Sequence, residues 1–247
     1  MSLKNKVAVV TGASKGIGAA IAERLAADGA SVIVNYVRDA KGAEALVAKI
    51  HKKGGKAKAV QGDVAKPAES KALIDAAARE FGPVDILVNN AGVFEFRPLA
   101  DVDEEHFDRQ YNINVKGLLF ATQAAVNAFG DRGGSVINIS SVVSTSPAPN
   151  GSVYSSTKSA VDGLTKALAA ELGPKKIRVN SVLPGVTITE GFEAMPAAAE
   201  FKKWAETTTP FGRAGQPSEI ASVVSFLASD DAGWVTGQQL AAAGGLR

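Results

Sequence analysis

The chain has 247 residues, with 27 Lys and Arg against 25 Asp and Glu, no cysteine and two histidines. The lack of cysteine excludes disulfides, thiolate nucleophiles and iron–sulfur clusters, and two histidines leave little for a histidine-ligated metal. A net charge of +2 does not indicate an electrostatic nucleic-acid binder. Catalysis would therefore depend on hydroxyl, amine or carboxylate groups, or on a cofactor.

Short apolar segments alternate with helical patterns along the whole chain. The strand-like segments are 7–11, 31–35, 58–61, 86–89, 135–140, 178–183 and 238–241, and the helical ones are 17–28, 40–53, 68–81, 104–129, 152–172 and 218–228. Nearly continuous apolar strands are typical of a parallel sheet that is covered on both faces. We therefore predict an α/β fold, a doubly wound parallel sheet of about seven strands, in one domain over residues 1–247.

The segment 187–212 is the least regular part of the chain, and it is rich in Thr and Ala with Pro196 and Pro210. It is interpreted either as a lid over a substrate site or as an ordinary surface excursion. The N-terminal residues run directly into the first strand, and no apolar run reaches the roughly 18 residues of a membrane span. We expect a cytoplasmic protein that does not enter a membrane.

A glycine-rich turn follows the first predicted strand and has the sequence Gly12-Ala13-Ser14-Lys15-Gly16-Ile17-Gly18. Its backbone N–H groups and the positive end of the next helix can face a phosphate, because glycine permits close approach. The turn lacks the G-K-[ST] ending of a P-loop. It also contains G-x-S-x-G, but a hydrolase of that type needs a histidine late in the chain, and the last one is His106.

Tyr154 and Lys158 are four residues apart in a helical stretch and therefore share one face. A neighbouring ammonium favours the phenolate, so we expect the pKa of Tyr154 to be lowered and proton exchange with a carbonyl oxygen to become feasible. Ser141 and the chemically equal Ser140 end the preceding strand, at the sheet edge where open α/β folds hold ligands.

These motifs, in this order, resemble those of the classical short-chain dehydrogenases/reductases, and the resemblance covers essentially the whole chain. The matching segments are Gly12-x-x-x-Gly16-x-Gly18, Asn89-Asn90-Ala91-Gly92, Tyr154-x-x-x-Lys158 and Pro184-Gly185. The resemblance implies a Rossmann-type domain in which Tyr154 donates a proton, Lys158 assists it and binds ribose, and Ser141 binds the substrate oxygen. Asn114 matches a fourth catalytic residue similar to a water-holding relay, and a packing role is the alternative.

The resemblance also implies a set of cofactor contacts. The set is Gly12, Ser14, Lys15, Gly16, Ile17, Gly18, Asn35, Arg38, Asp63, Val64, Asn90, Ala91, Gly92, Tyr154, Lys158, Pro184, Gly185, Thr187 and Thr189. At the end of the second strand, neutral Asn35 with Lys15 and Arg38 favours NADP(H), because an acidic residue there would repel the 2′-phosphate. Asp39 is expected to cap the next helix.

The expected reaction transfers a hydride between NADP(H) and a small carbonyl compound or secondary alcohol. The candidate pocket residues are mostly apolar and favour a hydrophobic carbonyl compound; they are Val93, Phe94, Phe96, Pro147, Phe192, Met195, Phe201 and Trp204. Relatives in the family usually form tetramers, so a homotetramer is expected. Ala243 stands where the family commonly has Asp before Gly-Gly, which bears on the C-terminal interface.

Three other functions compete with a carbonyl reductase. A 3-oxoacyl-carrier-protein reductase is the nearest, and Arg132 and Lys175 are similar to its basic docking pair. A catalytically silent NADP-binding sensor is less favoured, because binding alone needs no proton donor. A sugar-nucleotide epimerase of the extended family shares Tyr-x-x-x-Lys but normally has a different glycine spacing.

Overall fold

Seven parallel strands form one sheet in the computed structural model, which describes residues 2–195 and 197–246. The strands are β1 (Val7–Val10), β2 (Ser31–Tyr36), β3 (Lys56–Gln61), β4 (Ile86–Asn89), β5 (Gly134–Ile139), β6 (Ile177–Pro184) and β7 (Gln239–Ala242). Their order is β3-β2-β1-β4-β5-β6-β7. The order reverses between β1 and β4, and ligands of open α/β sheets bind at such a switch point.

Helices cover both faces of this sheet. They are α1 (Gly16–Ala27), α2 (Ala40–Lys52), α3 (Pro67–Phe81), α4 (Glu104–Tyr111), α5 (Leu118–Phe129), α6 (Ser152–Leu172), α7 (Glu190–Glu193), α8 (Ala198–Thr208) and α9 (Pro217–Ala228).

Two hydrophobic cores lie on opposite faces of the sheet. Side chains alternate between the faces, so that Val10 and Val34 join the core formed with α1, α2 and α9, whereas Val9 and Ile33 join the core of α3, α5 and α6. The predicted fold class, a doubly wound α/β sheet with helices on both faces, is confirmed.

The helix predicted over 104–129 is in fact interrupted. A π-helical turn, Asn112–Gly117, separates α4 from α5. Inside this turn the amide of Asn114 bonds to the backbone of Val93 and to Thr157, so its side chain is held by neighbouring segments. Such π-helical insertions are frequent at functional sites, and a side-chain periodicity close to that of an α-helix conceals them.

The segment 187–212 is more regular than the sequence indicated, because it contains α7 and α8. Thr189 caps α7 by accepting a hydrogen bond from the Phe192 amide at 3.0 Å. Pro196, which the sequence analysis noted in this segment, lies outside the described residues. Within the described ranges, each helix is too short or too polar to cross a membrane.

Candidate active site

Three strands bring predicted site residues and their neighbours to the same edge of the sheet. Asn89 ends β4, Ser140 and Ser141 follow β5, and Pro184 ends β6. Because all strands are parallel, these carboxyl ends lie side by side. The first turns of α6 add Tyr154 to this edge, and the predicted catalytic residues are thereby brought together.

The two candidate serines have different surroundings. Ser140 is buried and its hydroxyl donates to the Lys158 carbonyl at 3.3 Å. Ser141 is half-buried, and its hydroxyl accepts a hydrogen bond from the Val143 amide at 3.3 Å. Ser141 also lowers the pKa of the Tyr154 phenol. The structure therefore favours Ser141 as the hydroxyl that faces a reacting group.

The Lys158 ammonium lies 5.7 Å from the centroid of the Tyr154 ring. It donates a hydrogen bond to the Ile139 carbonyl at 2.8 Å, and Lys158 is only 6% exposed. Burial lowers the pKa of Lys158 to about 8, and the nearby charge of Asp162 partly counteracts this. The ammonium is thus held close to the phenol by the end of β5.

The expected lowering of the phenol pKa is not found in the chain alone. Burial raises the pKa of Tyr154 to about 12, and the Ser141 hydroxyl partly offsets this by hydrogen bonding. The pKa rises because burial removes the solvation of the phenolate, and this effect exceeds the opposite effect of the neighbouring groups. The Lys158 ammonium donates its hydrogen bond to the Ile139 carbonyl. Tyr154 therefore keeps its proton at neutral pH in the chain alone.

Asn114 is buried and joins three segments of the site. Its amide donates to the Val93 carbonyl at 2.8 Å and to the Thr157 hydroxyl at 3.0 Å, and its oxygen accepts from the Val93 amide at 2.8 Å. A Cβ placed on Gly92 would lie 3.2 Å from the Asn114 oxygen and 3.7 Å from the Lys158 nitrogen. Gly92 therefore keeps open the narrow space between these two polar groups.

Aromatic side chains form a wall beside the phenol. Phe94 and Phe96 lie 6.2 Å and 5.9 Å from Tyr154, between ring centroids. Phe201, on α8, lies 6.1 Å from Phe96 and so connects the segment 187–212 to the site. Phe94 is 45% exposed although it is large and apolar. This exposed aromatic surface next to Tyr154 is suited to an apolar ligand.

The glycine turn between β1 and α1 is held by side chains from β2 and β4. The Asn90 amide donates to the carbonyls of Thr11 and Gly12 at 2.9 Å each. Gly12 has a φ of +60°, and a Cβ there would lie 2.8 Å from the Ala91 Cα. A Cβ on Gly18 would meet the Asn90 amide at 2.4 Å. Close backbone packing, which only glycine allows, therefore fixes the shape of this turn.

Asn35 was predicted as a cofactor contact, and the structure places its side chain inside the sheet beside the glycine turn. Asn35 is fully buried, its oxygen accepts from the Gly12 amide at 3.0 Å, and its amide donates to the Gly62 carbonyl at 2.9 Å. Its side-chain oxygen and nitrogen are both bonded to backbone groups, so the side chain holds the glycine turn in place. The exposed residues directly after β2 are Val37, Arg38 and Asp39.

The start of α1 already binds an anionic group. The carboxylate of Glu190 accepts a hydrogen bond from the Gly16 amide at 3.1 Å, and Lys15 at the N-cap supplies no side-chain hydrogen bond to the helix. This contact shows that a backbone amide of the turn donates a hydrogen bond to a negatively charged group, as binding of a dinucleotide pyrophosphate requires. Ser14 and Ile17 are half-buried in the same turn. The residues therefore fit a dinucleotide cofactor.

Comparison with known proteins decides the family. A family model described as enoyl-(acyl carrier protein) reductase matches residues 12–247. The chain is 40% identical to a short-chain dehydrogenase/reductase from Serratia marcescens, with 99% of each chain covered and a TM-score of 0.93. The chain belongs to the short-chain dehydrogenase/reductase family. Like the other members of this family, it is an oxidoreductase that uses a nicotinamide cofactor.

Two further relatives of this dehydrogenase/reductase are informative. An uncharacterised oxidoreductase of Methylorubrum extorquens is 54% identical over 246 residues, which cover 99% of both proteins. A blue fluorescent protein from a metagenomic library, solved in complex with NADPH, is 39% identical, with 99% of each chain covered and a TM-score of 0.92. The similarity extends over the whole chain in both cases.

The remaining expected contacts of the dehydrogenase/reductase lie along the same edge. Asp63 is half-buried and accepts from the Ala65 amide at 3.0 Å, and Val64 packs against the π-helical turn. Thr187 donates to the Gly185 carbonyl at 3.0 Å and pairs with Gly215. The predicted cap is confirmed for Asp39, which accepts from the Gly42 amide at 3.0 Å.

The basic pair Arg132 and Lys175 lies away from these residues. Arg132 lies two residues before the start of β5 and Lys175 two residues before β6, so both are at the amino edge of the sheet, opposite to Ser141 and Tyr154. Arg132 also forms an ion pair with Asp85 at 2.7 Å. Within one chain, the pair does not border the site.

Two acidic residues at or near the site are not predicted by the sequence motifs. Glu190 directly follows the segment Pro184–Thr189. Its contact with Gly16 joins residues that are far apart in the chain, so a local sequence pattern does not predict it. Asp162 is one helical turn beyond Lys158. The spacing of four from Tyr154 to Lys158 to Asp162 was a usable signal, because residues at this spacing share a helix face.

Proposed function

We propose that the chain is an NADPH-dependent reductase of a hydrophobic ketone or aldehyde, with Tyr154 as the proton donor. The observation that carries this proposal is that the Tyr154 phenol lies near the Ser141 hydroxyl and the buried Lys158 ammonium, beside an apolar wall. When bound, the cofactor would supply the hydride. The chain has to hold the carbonyl, supply a proton and exclude water.

Each of the three polar groups has a separate task in this proposal. The Ser141 hydroxyl donates a hydrogen bond to the substrate oxygen and so orients the carbonyl. As negative charge develops on that oxygen, Tyr154 transfers its proton to it, which leaves a phenolate. The Lys158 ammonium stabilises this phenolate, because opposite charges interact strongly where solvent is excluded.

Preference for NADP(H) is supported by charge at the end of β2. Lys15 and Arg38 are exposed, and within residues 2–195 and 197–246 neither forms an ion pair. No carboxylate ends the strand, since Asp39 is used as the cap of α2. Both cations are thus available for a 2′-phosphate. The relative solved with NADPH supports the same assignment.

The substrate class is inferred from the aromatic wall of Phe94, Phe96 and Phe201. Such surfaces bind flat or bulky apolar groups. We propose that the segment 187–212 forms a lid, because Phe201 in α8 contacts Phe96 beside Tyr154.

One experiment tests this function. NADPH and NADH oxidation is measured with a panel of aromatic ketones, aliphatic aldehydes, and 3-oxoacyl and enoyl thioesters. The proposal predicts the highest kcat/KM for a hydrophobic ketone or aldehyde with NADPH. Thioesters form the second candidate class, because the matching family model is described as a carrier-protein reductase. Absence of any carbonyl-dependent oxidation would instead support a cofactor-binding sensor.

A homotetramer is also proposed for this chain. Phe107 on α4 and Leu119 on α5 are large apolar side chains that are 43% and 36% exposed, respectively, and β7 is an edge strand of the sheet. Exposed apolar surface of this kind is typical of contacts between subunits. Light scattering coupled to gel filtration measures the molar mass.

The cytoplasmic location stays a prediction, which cell fractionation tests.

A further inference from the structure

A buried carboxylate lies behind Lys158 in the same helix. Tyr154, Lys158 and Asp162 follow one another at intervals of four residues along α6 and so lie on one face. Asp162 is 6% exposed. One of its oxygens accepts a hydrogen bond from the Ser181 hydroxyl of β6 at 3.1 Å. Its other oxygen is buried without a hydrogen-bond partner among the described residues.

Packing alone does not explain this residue. A buried carboxylate with an unpartnered oxygen destabilises a fold, and an apolar side chain of similar volume would avoid the cost. The neighbouring contact of α6 with the sheet uses uncharged side chains only: Thr165 accepts a hydrogen bond from the Asn138 amide at 2.9 Å. We therefore expect the negative charge at position 162 to stabilise a nearby positive charge.

The Lys158 ammonium is the positive charge on which Asp162 acts, although the two groups do not form an ion pair. Lys158 is buried, and its nitrogen donates to one neutral acceptor, the Ile139 carbonyl. Burial disfavours its charged form, and the charge of Asp162 acts in the opposite direction on the Lys158 pKa. The ammonium is surrounded by few other groups. They are Tyr154 and Asp162 on α6, the Ile139 carbonyl of β5, and Gly92 and Asn114 from the segments after β4.

We propose that Asp162 is a positioning residue whose buried carboxylate keeps the Lys158 ammonium charged beside Tyr154. Asp162 touches neither the substrate nor the cofactor in this account, and it acts only through Lys158. Ser181 fixes the orientation of the carboxylate from β6. The inference rests on the proposed function, since the reaction needs a charged Lys158 to stabilise the Tyr154 phenolate.

The test compares charge removal with loss of a buried hydrogen bond. Asp162→Asn removes the charge but still accepts from Ser181, and Asp162→Ser is a second charge-removing variant. Thr165→Val is the control, because it loses a buried hydrogen bond between α6 and the sheet without changing charge. Carbonyl reduction is measured from about pH 6 to about pH 10, together with the Tm of each variant.

In the wild type, kcat falls with rising pH as Lys158 loses its proton. Both Asp162 variants should move the midpoint of this fall to lower pH by roughly 1 unit, because the ammonium loses the nearby negative charge that stabilises it. Thr165→Val should lower the Tm and leave the midpoint unchanged. If the Asp162 variants lower the Tm but keep the wild-type midpoint, Asp162 has a structural role only and the proposal is overturned.

A second measurement does not depend on activity. Nuclear magnetic resonance titration of carbon-13-labelled lysine, with Lys158→Arg used for assignment, measures the Lys158 pKa in the NADP-bound protein. The pKa should be lower in Asp162→Asn than in the wild type, and an equal pKa would overturn the inference. A wild type that reduces no carbonyl compound would contradict the proposed function instead, while this titration would still decide the role of Asp162.

Discussion

The carboxylate of Glu190 accepts a hydrogen bond from the amide of Gly16 at 3.1 Å. Gly16 begins α1, and the free amides at the start of that helix form the part of the glycine turn that suits a pyrophosphate. Glu190 belongs to α7, within the proposed lid. One acidic side chain therefore connects the lid to the phosphate end of the cofactor site.

The first prediction concerns this contact. Glu190→Gln should tighten NADPH binding about two- to fivefold, because a charge near the helix N-terminus is worth roughly 0.3–1 kcal/mol and here it competes with the phosphates. Fluorescence titration of NADPH measures the Kd. Glu193→Gln is the matched control, since Glu193 lies in the same short helix but is exposed and does not bond to Gly16. Equal Kd values for the wild type and Glu190→Gln would exclude the competition.

The second prediction concerns cofactor choice. Arg38→Ala should lower kcat/KM for NADPH by roughly 10- to 100-fold, because a charged hydrogen bond is worth about 1.5–3 kcal/mol. The value for NADH should change little, since NADH has no 2′-phosphate. Steady-state kinetics with both cofactors measure this, and Arg79→Ala on the surface of α3 is a charge-matched control. Parallel losses with NADPH and NADH would show that Arg38 does not bind the phosphate.

The third prediction concerns the pH dependence of reduction. The pKa of Lys158 is lowered to about 8 by burial, so its ammonium is charged below that pH and loses its proton above it. Tyr154 keeps its proton over the same range, because its pKa is raised to about 12. The rate of reduction should therefore fall as the pH rises through about 8. A rate that stays constant up to about pH 10 would contradict this assignment.

The fourth prediction concerns the glycine turn. Gly12→Ala should destabilise the protein by roughly 1–3 kcal/mol, since the residue has a positive φ and its Cβ would meet the Ala91 backbone. Gly163→Ala is the matched control. A Cβ there has nothing within 4 Å, so this change in α6 should be neutral or slightly stabilising. Thermal unfolding compares the two variants, and similar Tm values would show that the turn is not constrained.

The architecture of the sheet was predictable because local signals agree with the tertiary fold. The strand 86–89 and the helix 152–172 were placed at their observed bounds, since apolar strands and turn residues mark both ends. The interruption of the helix near Asn114 was not predictable, because it depends on hydrogen bonds to Val93, which lies far away in sequence.

The site shows the same division. Tyr154 and Lys158 are close because they share a helix, and the sequence states that spacing directly. The burial of Asn35 and the high pKa of Tyr154 arise from packing between distant segments, so a strand pattern or a motif does not reveal them. Chemistry that lies on one helix was predicted, whereas solvation and long-range contacts required the structure.

The most direct measurement is carbonyl-dependent NADPH oxidation by the wild type and by Tyr154→Phe. The variant removes only the phenol oxygen and should keep the ring contacts with Phe94 and Phe96. The account predicts that turnover falls by roughly 10²- to 10⁴-fold, the usual contribution of a general acid, while the Kd for NADPH is unchanged. Turnover that equals the wild-type rate, with NADPH still bound, would contradict the central claim.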